Sequence, residues 1–126
     1  LYFLKIKTTF VAKIITMENL YLGEFEEVVL LTVAVMDGKA YGISLVDEIK
    51  SRLDRSVSLG AVQVVLKRLE DKGMVTSEFG EATAVRGGKR KRYYTVTPTG
   101  RQALHLMKEQ RITLWNAIPQ FQIKLA

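Results

Sequence analysis

Three observations predict a mainly α (α+β) domain of winged helix-turn-helix layout. Amphipathic helical segments follow one another three times, the period then drops to two on either side of a glycine–cation loop, and a proline-started helix closes the chain. The 126 residues suit a single domain with a modest core.

The first helix is GEFEEVVLLTVAVMDG. Phe25, Val28, Val29, Thr32, Val33 and Met36 recur at helical spacing, acidic residues fill the first turn, and Gly38 lies past the end. Leu30, Leu31 and Val35 make it apolar on more than one face, as expected of a central helix. The second helix, ISLVDEIKSRLD, aligns Ile43, Val46, Ile49 and Leu53, with Ser44 and Asp47 as its capping box. In the third, LGAVQVVLKRLEDKG, the buried stripe is Val62, Val65, Leu66 and Leu69. Ser56 or Ser58 caps its start and Gly73 ends it.

MVTSEF, Met74 to Phe79, reads as a strand, GEATAVRGG as a loop and KRKRYYTV as the returning strand. On that strand Arg92, Tyr94 and Val96 share one face, Lys91, Tyr93 and Thr95 the other; Tyr94 and Val96 are expected to face the core. Thr97 then caps the last helix and Pro98 takes its first position. Leu104, Met107, Leu114 and Ile118 form its stripe, interrupted by Arg111, before Pro119 ends the pattern and FQIKLA frays. In a winged helix-turn-helix this order sends the third helix into the DNA major groove and lays the hairpin, the wing, on the backbone or minor groove.

The charge distribution agrees. Net charge is +6, but residues 17–85 carry −5 while residues 86–92 alone carry +5, a placed contact rather than a uniformly sticky surface. With no cysteine, disulfides, thiolate nucleophiles and most zinc sites are excluded, and a cytoplasmic protein fits. The apolar run Val28 to Met36 is nine residues, against the roughly 20 needed to span a bilayer. Residues 1–16 make a poor signal peptide, interrupted as they are by lysines. Met17 opens MENLYLGEF, so the natural start is expected at or near it, with residues 1–21 an N-terminal extension and residues 22–97 the winged-helix unit.

LGEFEEVVLLTV, AYGISLVDEI, SVSLGAVQVVLKRLEDKGMV and RGGKRKRYYTVTPTGRQAL together resemble the PadR family of bacterial transcriptional regulators, from about Leu22 to Met107. The most specific pieces are the Tyr41-Gly42 step, Leu66-x-x-Leu69 with Gly73, and the arginine-rich wing running into Tyr93-Tyr94 and Thr97-x-x-Gly100. Where the family commonly carries a tyrosine, often before proline, midway along the third helix, this chain has Gln63-Val64. The resemblance implies a homodimeric repressor of nearby genes, joined through a C-terminal dimerisation helix in residues 98–126 and released from DNA by a small planar or phenolic effector. Leu104, Met107, Arg111, Leu114, Trp115 and Ile118 would then form the dimer interface. Trp115 would either stack the effector near the two-fold axis or serve in packing alone.

For the cationic stretch a phosphate-binding P-loop fails. The position five before Gly88 is Thr83, and Lys89 is followed by Arg90 instead of Ser or Thr. Arg86, Lys89, Arg90, Lys91 and Arg92 fit DNA-backbone contacts better, flanking a Gly87-Gly88 tip; the competing reading is a solvated hairpin. On the third helix Ser58, Gly60, Ala61, Gln63, Val64 and Lys67 lie off the buried stripe and form the rest of the expected double-stranded DNA contact. Gln63, able to pair bidentately with adenine, is the base-reading candidate. Lys67 and Arg68 could equally pair with Glu70 and Asp71 on the same helix. No enzyme, metal or cofactor is expected, because His105 is the sole histidine and Glu26-Glu27 and Asp47-Glu48 diverge as helix neighbours. The rival reading is a winged-helix protein–protein interaction module without sequence-specific DNA binding.

Overall fold

The computed structural model describes residues 20–81 and 90–120. They form α1 (Glu24–Met36), α2 (Gly42–Leu53), α3 (Leu59–Asp71), β1 (Val75–Phe79), β2 (Arg92–Val96) and α4 (Pro98–Ala117), the expected mainly α order. α1 is central, packing against α2, α3, β2 and α4. Its Val29, Leu30 and Val33 meet Leu45 and Ile49 of α2 and Val62, Val65, Leu66 and Leu69 of α3, all buried. Leu31 and Val35, on its second apolar face, are exposed and line a groove with Leu53 of α2.

Local signals set the helix ends. α3 starts at Ser58, whose hydroxyl accepts from the Ala61 N–H at 3.1 Å. It stops at Gly73, which takes φ +74°, while Met74 N–H reaches Leu69 C=O and Gly73 N–H reaches Glu70 C=O at 2.9 Å each, a Schellman pair. α4 starts as expected, Thr97 Oγ1 accepting from Gly100 N–H at 3.0 Å with Pro98 first in the helix. A β-carbon at Gly100 would collide with the Met74 carbonyl oxygen and lie 2.8 Å from Val96 Cγ1, so only glycine lets α4 sit this close to the sheet.

α2 departs from expectation in two ways. It starts at Gly42, with Tyr41 as N-cap, and Ser44 is the third helical residue instead of the cap. Its hydroxyl accepts from the Tyr41 N–H at 2.9 Å, so the serine reaches back over the first turn as the acid of a capping box does. The buried row is Leu45 and Ile49 with Val46 beside it; Ile43 and Leu53 are 56% and 55% exposed. Both rows have helical spacing, and contact with α1 and α3 selects one of them.

β1 and β2 pair antiparallel from Val75↔Val96 to Phe79↔Arg92. Gly80 N–H to Lys91 C=O at 2.7 Å continues the pairing outward. Tyr94 and Val96 pack on the core as expected. An unanticipated bridge from Ala40 to Tyr94, closed by Tyr94 N–H to Ala40 C=O at 2.9 Å, ties the α1–α2 turn to the hairpin.

Candidate nucleic-acid interface

Burying Val62, Val65, Leu66 and Leu69 turns the opposite face of α3 outward. Ser58, Gly60, Ala61, Gln63, Val64 and Lys67 are all exposed on it. Ser58 is already engaged as the cap, and Lys67 lies 3.8 Å from Asp71 one turn on, an exposed pair of small worth. Gly42 brings α2 against this face: a β-carbon there would come 2.8 Å from Leu59 Cδ1 and 3.9 Å from Gln63 Nε2.

Between α3 and β2 lies a groove of about 710 Å³. Leu59, Ile43 and Tyr41 line its apolar part, Gln63, Lys67 and Glu70 line it from α3, and Arg90, Lys91 and Arg92 line it from the wing. The fold therefore collects five of the expected contact residues, Gln63, Lys67, Arg90, Lys91 and Arg92, around one concavity. Arg86 and Lys89 lie outside the described residues.

Each wing cation is held differently. Arg90 Nε donates to the Gly80 carbonyl at 2.9 Å, and its guanidinium lies 5.8 Å from the Phe79 ring centroid. Lys91 places its ammonium 4.5 Å from the Tyr41 ring centroid, with Nζ 3.4 Å from the phenol oxygen. Tyr41 in turn meets Tyr93 edge-on at 5.7 Å. Arg92 turns to α3, its Nη2 donating to Glu70 at 3.1 Å. Burial pushes the Tyr94 phenol above its ordinary value, with Arg92 opposing and Glu70 adding to the shift. Tyr41, Glu70 and Ser77 are site residues that composition alone did not single out; for Tyr41 the signal was the Tyr41-Gly42 step.

The expected dimer stripe on α4 divides. Leu104 packs on the core and Met107 is buried within the protomer. Arg111 pairs with Glu27 of α1, a carboxylate almost wholly covered. Past that point Leu114 and Trp115 stand 70% and 58% exposed, and Ile118 is half-buried at the helix end.

The sequence model of the Transcriptional regulator PadR-like family matches residues 30–106, most of the chain. The chain belongs to the PadR-like family. This is a family of transcriptional regulators, not enzymes, and the matched residues fall within the segment that carried the resemblance. Solved structures agree on the winged-helix fold. A PadR family transcription regulator from Clostridium difficile R20291 superposes with a TM-score of 0.63 at 24% identity, covering 79% of this chain and 99% of that one. A transcriptional regulator from Clostridium thermocellum gives 0.57 at 25% identity, covering 70% and 83%. Bacillus subtilis PadR in complex with operator DNA gives 0.53 at 25% identity, over 64% of this chain and 44% of that one. No curated protein sequence matches the chain. Among the described residues, no helix is long and apolar enough to cross a membrane.

Proposed function

We propose that this PadR-like chain is a sequence-specific DNA-binding transcriptional regulator, a cytoplasmic homodimeric repressor that a small aromatic effector releases from its operator. One observation carries the DNA reading: the outward face of α3, small at its start and bearing Gln63, forms one wall of a groove whose other wall carries Arg90 and Lys91. That placement of cations suits a phosphate backbone running between a recognition helix and a wing. The operator complex of the Bacillus subtilis relative supports the same reading. Gln63 is then the base reader, with Ser58, Gly60, Ala61 and Val64 facing the floor of the DNA major groove and Lys67, Arg90 and Lys91 on phosphates. Exposed Leu114 and Trp115 support a dimer contact at the end of α4, with Trp115 as the flat surface available to an aromatic effector.

Fluorescence anisotropy with duplexes tiled across the chain's own upstream region tests this. Three phosphate contacts from each protomer give a slope of log K against log salt of about −5.4 for the bound dimer, at about −0.9 per contact. Gln63→Ala should lose about 1–3 kcal/mol at one base position and little elsewhere. Equal binding to all duplexes, or none, favours the protein–protein module.

A further inference from the structure

Arg92 leaves β2 on the face it shares with Tyr94 and Val96, so it meets α3 across the groove. Its Nη2 donates to both Glu70 carboxylate oxygens, at 3.1 and 3.3 Å, and its Nε donates to Ser77 Oγ at 2.8 Å. The Ser77 hydroxyl donates to Glu70 Oε2 and closes the triangle. The guanidinium also lies 5.5 Å from the Phe79 ring centroid. Each corner comes from a different element: Glu70 from α3, Ser77 from β1, Arg92 from β2.

The charge logic points the same way. Glu70 is the carboxylate lining the groove that Lys67, Arg90 and Lys91 also line, and an unpaired carboxylate there repels a phosphate. Arg92 covers it. The pair remains partly exposed, with side chains at 46% and 32%, so its worth to stability is small. Its geometry is another matter, because it fixes how far the wing stands from the recognition helix.

We infer that Arg92 is a positioning residue for DNA recognition and not a phosphate contact: with Glu70 and Ser77 it holds the wing at a set distance from α3 and cancels a carboxylate inside the groove. This rests on the DNA-binding reading above. A lysine does not replace it, since one ammonium cannot serve Glu70 and Ser77 from separate nitrogens while lying against Phe79.

The test is a double-mutant cycle of Arg92→Ala and Glu70→Ala, with Arg92→Lys beside it, read as affinity for the tightest-bound upstream duplex. Arg92→Ala should weaken binding roughly tenfold, about 1.4 kcal/mol, and the cycle should return at least a roughly fivefold coupling with Glu70. The same change in the Glu70→Ala background should cost less than twofold, Arg92→Lys should recover little, and the melting temperature should hold. If Arg92 touches phosphate, its loss costs as much without Glu70 as with it, Arg92→Lys restores most of the affinity, and the inference is overturned. Hydrogen exchange of the free protein reads the clamp without DNA. Arg92→Lys and Glu70→Ala should both speed exchange of the Gly80 amide, which bonds to Lys91 C=O at the outer end of the hairpin. Unchanged exchange also overturns it. A wild-type protein that binds no duplex overturns the DNA reading instead, and the exchange result still decides whether the clamp exists.

Discussion

Gly60 stands at the second position of α3, and among the described residues a β-carbon there would meet no atom within 4 Å. Nothing among the described residues requires glycine there, and glycine inside a helix costs about 0.5–1 kcal/mol relative to alanine. Gly60→Ala should therefore raise the melting temperature by on the order of a few degrees. The same methyl should weaken operator binding if the start of α3 approaches the base edges closely. A thermal melt and an anisotropy titration on one sample check both signs, and unchanged affinity would remove Gly60 from the contact. Arg92 teaches the complementary lesson. Its side of the strand was readable from the two-residue period, which already placed it with the core-facing Tyr94 and Val96. Its partner was not, because Glu70 lies 22 residues away on another element.

At the level of elements, charged pairs tie α1 to its neighbours. Glu26 accepts from the Gly23 N–H at 3.0 Å at the start of α1 and pairs with Lys72 at the end of α3 at 2.9 Å. Burial acts to raise its pKa, but the Gly23 amide and Lys72 outweigh it and hold the carboxyl below its ordinary range. A carboxyl depressed only in the folded state leaves the unfolded chain binding more protons as pH falls. Its stabilisation is present above the ordinary glutamate range and is lost as pH drops through that range to the depressed value. Glu26→Gln should accordingly lower stability at neutral pH and flatten its acid dependence, as urea titrations at a series of pH values would show; an unaltered pH slope would deny Glu26 that role. The caps of α3 and α4 matched their sequence signals because those signals act within one turn. The start of α2 shifted because serine bonds as well from the third helical position as from the cap.

Across the whole molecule, apolar surface is unevenly covered. Leu104 and Met107 of α4 pack inward, whereas Leu114 and Trp115 at its far end are largely exposed. If that end forms the homodimer contact, Leu114→Asp with Trp115→Asp should convert a dimer to a monomer in sedimentation velocity with little change in the monomer's helical content. A dimer that survives both substitutions places the contact elsewhere. The sequence by itself determined the order of elements, both helix stops at Gly73 and Pro119, the change of period at the hairpin and the family. These are properties of neighbouring residues, carried by backbone conformation and side-chain period. Tertiary structure alone decided which apolar row of α2 is buried, where Arg92 and Arg111 find their carboxylates, and that the α3 face and the wing share one groove. Those outcomes depend on how elements meet in space, and contacts between residues tens of positions apart leave no periodic trace in the chain.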